Sequence, residues 1–234
     1  MIARTSAVIE PGGVLGELAC APPLTLRQVR GPDGRCELRL VGTAAGPLAG
    51  DDLSLELRLR PGARATLRAT GASLAQGRDH GGTAALSVRA DLAEDADLVA
   101  DPGALIVCQG SRVAVRVELA LGRGAAVDWR ELIVLGRTGE PPGQATLRWD
   151  VTRLGRPVLR QSADLDLGLT AGRRVLACAL ICDPARACRT VVASPVAVAQ
   201  RIDDHTLLVS VLGDDAARAT RQLGDLCARA VSPA

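Results

Sequence analysis

A strict two-residue alternation of apolar and polar side chains is the sequence feature that most limits the possible fold. In residues 53–59, leucines occupy every second position and polar side chains occupy the positions between them, as in a β-strand that buries one face. The pattern returns in later runs that are separated by turn residues. These runs are residues 86–88, 113–119, 147–151 and 165–169. The chain is therefore predicted to be mainly β.

A weak internal repeat accompanies these strands. In each unit an alternating run meets a turn of small residues, and a second alternating run follows. The turns lie at residues 61–63, 94–96, 122–125 and 170–172. One such unit cannot bury its apolar face alone, so the units are expected to stack on one another. Their unequal spacing argues against a regular solenoid.

Only the C-terminal stretch shows the period of a helix. Apolar and small side chains recur there three and four positions apart, and Asp214 precedes them as a candidate N-cap. The sequence predicts a helix over residues 214–230, although Gly224 costs about 1 kcal/mol relative to alanine. No long linker rich in Pro, Gly or Ser divides the chain, so residues 1–234 are predicted to form one domain.

Composition narrows the function classes. With 28 basic and 26 acidic residues the net charge is only +2, and two tryptophans could stack on few bases, so nucleic-acid binding has weak support. The absence of a long apolar run and of a signal-like N-terminus predicts a cytoplasmic protein without membrane contact. The 7 cysteines lack a regular framework, which predicts reduced thiols rather than disulfides.

Few residues suit catalysis or a resident metal. The sequence has 2 histidines, His80 and His205, and lacks a nucleophile elbow, a phosphate-binding glycine loop and a His-Glu-x-x-His motif. A binding role is therefore favoured over an enzymatic one. Cys178, Cys182 and Cys188 offer an alternative, a cysteine-based metal-binding or redox protein of β-rich fold. Strand alternation places Cys178 and Cys182 on one face, which favours burial in the core.

Two groups of carboxylates admit two interpretations each. Asp51 and Asp52 either close a turn through hydrogen bonds to the backbone or form a carboxylate pair aimed at a cation or a basic partner. Further along, Glu140 either makes an exposed ion pair with Arg137, with Trp129 in the core, or belongs to a functional loop. The sequence favours neither of these last two interpretations over the other.

Five segments carry a more specific signal. They are Gly46-x-Leu48-x-Gly-Asp51-x-Leu53, Pro61-Gly-Ala63, Thr70-x-Ala72-Ser73, the stretch from Leu98 to Pro102 leading to Ile106 and Gly110, and Leu135-Gly-Arg137-x-Gly-Glu140. In this order they resemble the urease accessory protein UreD family, called UreH in some organisms. Ala45 and Ala49 stand where the family pattern has glycines, and Ala104 stands where it has an acidic residue.

The resemblance implies an irregular β-helix-like stack of many strands with two helices, and a non-enzymatic function. Proteins of this family join UreF-like and UreG-like accessory proteins and dock them on the urease apoprotein, so that nickel reaches the active site. No tightly bound cofactor is expected, because a tight nickel site needs several nitrogen or sulfur ligands. Weak oxygen ligands suffice for nickel in transit, and the candidates are Asp51, Asp52, Glu131 and Glu140.

Overall fold

The computed structural model of the chain describes residues 1–31, 34–77, 81–168 and 170–233. Strands account for 61% of the residues and helices for 8%, which confirms the prediction of a mainly β fold. The strands, in chain order, are β1 (Ile2–Glu10), β2 (Val14–Ala19), β3 (Leu24–Val29), β4 (Cys36–Gly42), β5 (Asp52–Leu59), β6 (Arg64–Ala69), β7 (Ser73–Ala75), β8 (Ala84–Leu92), β9 (Asp97–Asp101), β10 (Ala104–Val107), β11 (Arg112–Leu121), β12 (Ala126–Leu135), β13 (Gln144–Arg153), β14 (Arg156–Leu165), β15 (Val175–Cys182), β16 (Arg186–Cys188), β17 (Val191–Ser194), β18 (Ala197–Asp203), β19 (Thr206–Gly213) and β20 (Val231–Pro233). The helix α1 comprises Ala216–Ala230.

Two sheets face each other across the core. The first has the order β14-β13-β11-β8-β5-β1-β2, and the second has the order β17-β18-β19-β15-β12-β9-β6-β4-β3. From β4 to β13 the chain crosses repeatedly from one sheet to the other, so strands that neighbour each other in a sheet are parallel. The result is a β-solenoid-like stack of about four turns, which confirms the predicted architecture.

The stack is irregular because the strand pairing beside β12 in the second sheet is interrupted between β9 and β10. We call this interruption the crease. The short strands β7 and β10 pair with each other, and β10 pairs with the end of β12. The longer β12 also pairs with β9 through its first residues. Each turn of the stack therefore contains one strand of the first sheet and one or two segments of the second.

Small-residue turns lie on top of one another at one edge of the stack. We call this edge the turn column; it consists of residues 60–63, 93–96, 122–125 and 154–155. The amide of Ala93 donates to the carbonyl of Leu59 (3.0 Å), and the amide of Gly122 donates to that of Leu92 (2.8 Å). Three of the four predicted turns belong to this column. The fourth, at residues 170–172, leads instead into β15, which runs antiparallel to β12.

The main core lies between the two sheets and is built from the apolar side of each alternating run. Leu53, Leu55, Leu57 and Leu59 of β5 are all buried, as the alternation predicts. Trp129 of β12, in the facing sheet, is fully buried in the same cluster as Leu55, Leu57 and Leu59. Each large apolar side chain that leaves water here stabilises the fold by about 1.5–3 kcal/mol.

The C-terminal part is antiparallel and covered by the helix. We call residues 2–165 the stack and residues 175–233 the cap. All eight residues of β15 are buried, because one face lies in the main core and the other lies under α1. The helix contributes Ala219, Leu223 and Leu226 to a second apolar cluster with β15, β18 and β19. The cap is thus a second layer built on the outer face of the second sheet.

The helix begins later than the sequence predicts. Its N-cap is Asp215, whose carboxylate accepts a hydrogen bond from the amide of Arg218 at 2.6 Å. Asp214, the predicted cap, instead pairs with Arg173, so that prediction is wrong by one residue. With 15 residues, α1 is too short to cross a membrane. No helix within the described ranges is long and apolar enough to do so.

Two further expectations differ from the structure. The predicted strand over residues 165–169 is wrong: Leu165 ends β14 and a turn follows, while Leu169 lies outside the described residues. The resemblance implies two helices, whereas the described part of the chain contains one α-helix and a 3₁₀ turn at Pro11–Gly13. His80 also lies outside the described residues.

Candidate functional site

Three of the five motif segments include residues at the edge of the stack opposite the turn column, and the Thr70–Ser73 segment lines a cleft beside it. We call this edge the loop edge; it consists of residues 46–51, 75–77, 108–111 and 136–143. Backbone hydrogen bonds join successive loops. The amide of Gln76 donates to Pro47 (3.0 Å), and the amide of Gly136 donates to Val107 (2.7 Å). Segments far apart in sequence are therefore held in one continuous ladder of loops.

Glycines allow these loops to approach closely. A Cβ atom on Gly77 would lie 2.3 Å from the carbonyl oxygen of Gly110. A Cβ atom on Gly143 would lie 2.5 Å from the carbonyl oxygen of Cys108. Both distances are shorter than any real contact, so a side chain at either position would push the loops apart.

Asp51 is the most buried of the candidate carboxylates on this edge. Its Oδ2 accepts a hydrogen bond from the amide of Leu48 (2.8 Å), and its Oδ1 accepts one from the Met1 nitrogen (2.7 Å). Burial opposes ionisation of the carboxyl, but these hydrogen bonds outweigh it and lower the pKa of Asp51. The carboxylate thus closes its turn, which is one of the two predicted interpretations.

Asp52 does not form a carboxylate pair with its neighbour. It opens β5, and its half-exposed carboxylate lies 3.7 Å from the guanidinium of Arg4 on β1. Asp51 engages Met1 and Leu48 instead. The two acidic side chains therefore have separate environments.

Glu140 joins two loops of the edge. Its Oε1 accepts hydrogen bonds from the amides of Arg137 (2.7 Å) and Gln109 (3.3 Å), and its Oε2 accepts two from the Arg137 guanidinium (2.9 and 3.1 Å). The Arg137 side chain lowers the pKa of Glu140 to about 2, with help from the backbone amides. The ion pair, one of the two predicted interpretations, is present. The bond from the Gln109 amide links Glu140 and its 136–143 loop to the 108–111 loop.

Glu131 lies in a different environment, inside the core. Its Oε1 accepts a hydrogen bond from the indole nitrogen of Trp129 at 2.7 Å, and its strand position faces Cys178 of β15. Burial raises the pKa of Glu131 to about 7, the indole partly offsets this, and the charge of Asp101 adds to it. A carboxyl with such a pKa exchanges its proton near neutral pH.

The crease in the second sheet explains how a carboxyl comes to lie there. Trp129 is level with Ala100 at the end of β9, and Leu132 is level with Ala104 at the start of β10. Glu131 lies between these levels, where one neighbouring strand has ended and the next has not yet begun. The strand pairing beside it is therefore interrupted.

The four predicted carboxylates do not converge on one point. Asp51 and Glu140 share the loop edge but are separated by two intervening loops, which places them roughly 14 Å apart at the usual strand spacing. Asp52 lies outside that edge and Glu131 lies in the core. Across residues 1–31, 34–77, 81–168 and 170–233, no group of three or more His, Cys, Asp or Glu residues could hold a metal ion.

The cysteines follow the burial interpretation. Cys178 and Cys182 belong to the main core, whereas Cys188 belongs to the cluster under α1. Burial raises the pKa of Cys182 to about 11 and that of Cys178 still further. These thiols stay protonated at neutral pH, and the three residues form no common site.

Sequence reasoning missed the surroundings of the loop edge. Cys108 lies beside Glu140, and burial followed by the Glu140 charge raises the pKa of its thiol. A cleft of about 270 Å³ lies nearby, lined by Gly46, Thr70 and Ser73 among others. The abundance of glycine and alanine around these positions was the available signal. Contacts across 31 residues, as between Gln109 and Glu140, leave no local pattern.

Comparison with known proteins decides the family. A family model described as "UreD urease accessory protein" matches residues 6–233, which is nearly the whole chain. The chain belongs to the UreD family. The resemblance inferred from the five motif segments is thereby confirmed.

Individual UreD proteins are similar over much of their length. "Urease accessory protein UreD" of Parafrankia sp. (strain EAN1pec) is 32% identical over 93% of this chain and 84% of its own length. "Urease accessory protein UreD 1" of Saccharopolyspora erythraea is 34% identical over 74% of this chain and 72% of its own length. The UreD protein of Streptomyces coelicolor is 38% identical over 64% of this chain, and the match spans 59% of that protein.

The UreD motif segments therefore have a physical location in this member of the family. All but the Pro61 turn run along or end at the loop edge and its adjoining cleft. The Pro61 turn belongs to the turn column. The motif residues thus specify the two edges where the chain passes between sheets.

Proposed function

We propose that the chain is a non-catalytic adaptor of urease maturation, which joins UreF-like and UreG-like accessory proteins to the urease apoprotein while nickel is inserted. The observation that carries this proposal is the UreD family match over residues 6–233. The similar proteins are named urease accessory proteins. The partners follow from what the family resemblance implies.

A rigid, ladder-like body suits this role. Hydrogen bonds run through both edges of the stack, so the loops on each edge are held at fixed positions. The strands of the first sheet separate the loop edge from the turn column by roughly 26 Å for an eight-residue strand such as β5. An adaptor with two such edges can hold two partners at a constant distance.

Nickel would pass this chain as cargo, through carboxylates that act singly. Asp51, Asp52, Glu131 and Glu140 occupy separate environments, and a single carboxylate binds a divalent cation weakly. Weak binding suits transfer, since the ion must leave again. Two positions are best placed to contribute. One is Glu140 on the loop edge, which is ionised, and the other is Glu131 inside the stack, whose pKa is about 7.

Amide substitutions test the nickel path with little change in shape. Glu140→Gln and Asp51→Asn keep a hydrogen-bond acceptor but remove the charge. Each should lower the nickel content and activity of urease matured with the variant, while size-exclusion chromatography still shows the complex with the UreF-like partner. Unchanged nickel loading in both variants would eliminate these two carboxylates from the path.

A matched control separates a nickel ligand from a loop fastener. Arg137→Gln breaks the ion pair but leaves the Glu140 carboxylate and its bonds to the loop amides. If Glu140 acts only through its ion pair with Arg137, Arg137→Gln should lower activation as much as Glu140→Gln does. If the carboxylate contacts nickel, activation should survive in Arg137→Gln.

Partner binding tests the adaptor role itself. Co-expression with a UreF-like protein should raise the soluble yield of this chain and give a complex that survives purification, because adaptors present interaction surfaces that are exposed when they are alone. A chain that folds well and shows no affinity for UreF-like protein would overturn the proposal.

A further inference from the structure

The hairpin between β13 and β14 carries an exposed leucine in a strained conformation. Leu154 and Gly155 form the two-residue turn, and both have positive φ angles, 51° and 73°. Asn-Gly or Gly-Gly pairs are the usual residues of such a turn, because a branched side chain is disfavoured at positive φ. The Leu154 side chain is nevertheless 63% exposed. It adds nothing to the core that would explain its presence.

The position of Leu154 within the fold is fixed by the turn column. Its amide donates to the carbonyl of Leu121 at 2.8 Å, as the amide of Gly122 does to Leu92 one level away. Leu154 therefore occupies the fourth level of the column. The first three levels are the turns at residues 60–63, 93–96 and 122–125.

A shallow trough lies beside this leucine. It has a volume of about 560 Å³ and crosses the ends of β5, β8, β11 and β13. Apolar residues such as Pro61, Ala93 and Ala120 line much of it, together with the charged residues Arg58, Arg60 and Asp91. The chain thus displays an exposed aliphatic side chain and a largely apolar depression on the same edge.

The exposed charges of the turn column are self-complementary. Glu94 and Arg123, on the second and third levels, are 60% and 81% exposed and lie 3.8 Å apart. A twofold axis between these levels would place Glu94 of each copy against Arg123 of the other. The same axis would place the fourth level, with Leu154, against the first level, with Pro61.

We propose that the turn column pairs two copies of this chain about a twofold axis, with Leu154 of each copy in the trough of the other. In such an interface each contact occurs twice. A second copy is the occupant that the observations favour, because both the exposed leucine and the charge pattern find their complements on the chain itself. This inference is independent of the proposed function.

Sedimentation equilibrium of the purified chain tests the pairing. The chain should form a reversible dimer that weakens as salt is added. Leu154→Asn keeps a residue suited to positive φ and removes the exposed leucine side chain, so it should weaken the dimer about 100-fold, since two leucines per dimer each contribute roughly tenfold. Val192→Asn, which removes a similarly exposed aliphatic side chain on β17, should leave the dimer unchanged.

Charge exchange supplies a sharper test. Glu94→Arg and Arg123→Glu should each weaken the dimer, and the double variant should restore it, because the exchanged charges again face their opposites. Sedimentation as a monomer up to about 1 mM, the weak end of specific association, would overturn the proposal. So would a dimer that is insensitive to Leu154→Asn.

A different partner on the same edge would also be visible. If the chain alone is monomeric and Leu154→Asn loses binding to UreF-like protein, the turn column binds that protein instead, and pairing of two copies is overturned. Failure of pairing would leave the adaptor proposal untouched, because the sedimentation experiment uses this chain alone.

Discussion

The stack and the cap differ in how their strands are buried. In the stack, β11 and β12 alternate strictly between buried and more exposed residues along all ten positions. In the cap, β15 has eight buried residues in a row. The difference arises because water reaches one face of the stack strands, whereas α1 covers the second face of β15. Alternation in a sequence therefore reports a strand with one covered face, and it disappears once a second layer is added.

The two regions also differ in what holds their strands in place. From β4 to β13, stack strands are parallel neighbours whose register is set by turns and loops that bond to one another at both edges. In the cap, β17, β18 and β19 are antiparallel neighbours in sequence order, β19 also pairs with β15, and β16 pairs with β20. The helix α1 packs on β15, β18 and β19 from outside. Yet β15 continues the second sheet directly from β12. The regions therefore share one core, which makes their energetic coupling measurable.

The largest effect is expected from removing the central side chain of the stack. Trp129→Ala should lower the free energy of unfolding by about 4 kcal/mol, because it opens a cavity in a fully packed core and leaves the Glu131 carboxyl without its indole donor. The urea midpoint measures the change. Trp129→Phe keeps most of the ring and should recover more than half of the loss. Equal losses in both variants would mean that the hydrogen bond dominates.

A cap substitution should come next in size. Leu223 is buried between α1 and the sheet, and Leu223→Ala should cost about 3 kcal/mol. If residues 1–234 form the single domain predicted from the sequence, circular dichroism should show one cooperative transition that both Trp129→Ala and Leu223→Ala shift as a whole. A separate early transition in Leu223→Ala would show that the cap unfolds alone, and the single-domain prediction would be wrong.

These differences explain which parts of the fold the sequence could predict. The alternation at residues 53–59 and 113–119 indicated strands directly, because one face of each meets water. The run Val175–Cys182 offers no such contrast, although the period of two correctly placed Cys178 and Cys182 on one face. Strand β14 was missed, since Arg156–Leu165 contains Pro157 and little alternation, as an edge strand tolerates.

The candidate site was less predictable than the fold. The local turn around Asp51 and the Arg137–Glu140 pair involve residues three positions apart, so sequence spacing could suggest them. The contact of Glu140 with the 108–111 loop depends on the stacking of distant segments. The burial of Glu131 depends on the crease between β9 and β10, which no local pattern indicates.

The buried Glu131 should make stability depend on pH. Burial raises its pKa from 4.5 to about 7, so between these values the folded chain binds more protons than the unfolded chain. This contribution to stability is fully present below about pH 4.5 and is lost as pH rises through about 7. Its total size is about 3 kcal/mol. Glu131→Gln should therefore be more stable than the wild type at pH 8 and nearly equal to it at pH 4.5.

Loosening the cap should weaken this pH dependence of stability. β15 covers Glu131 through Cys178, so loosening the cap by Leu223→Ala should admit water and shrink the stability difference between the wild type and the Glu131→Gln variant. Glu140→Gln serves as the opposite control, because the pKa of Glu140 is lowered to about 2. Its contribution is present above about pH 4.5 and is lost in acid. A Glu131→Gln variant with the same pH profile as the wild type would show that this carboxyl is not perturbed by burial.

The smallest effect concerns the start of the helix, where the N-cap predicted from the sequence and the N-cap in the structure differ by one residue. Asp215→Ala removes the N-cap and should lower stability by about 1 kcal/mol. Asp214→Ala removes only an exposed pair with Arg173, which is worth about 0–1 kcal/mol and commonly nearer zero. Thermal unfolding of the two variants in parallel compares them directly. The sequence predicted Asp214 as the N-cap, so a greater loss of stability in Asp214→Ala would favour that register. A helix that begins at Ala216 instead predicts the greater loss of stability in Asp215→Ala.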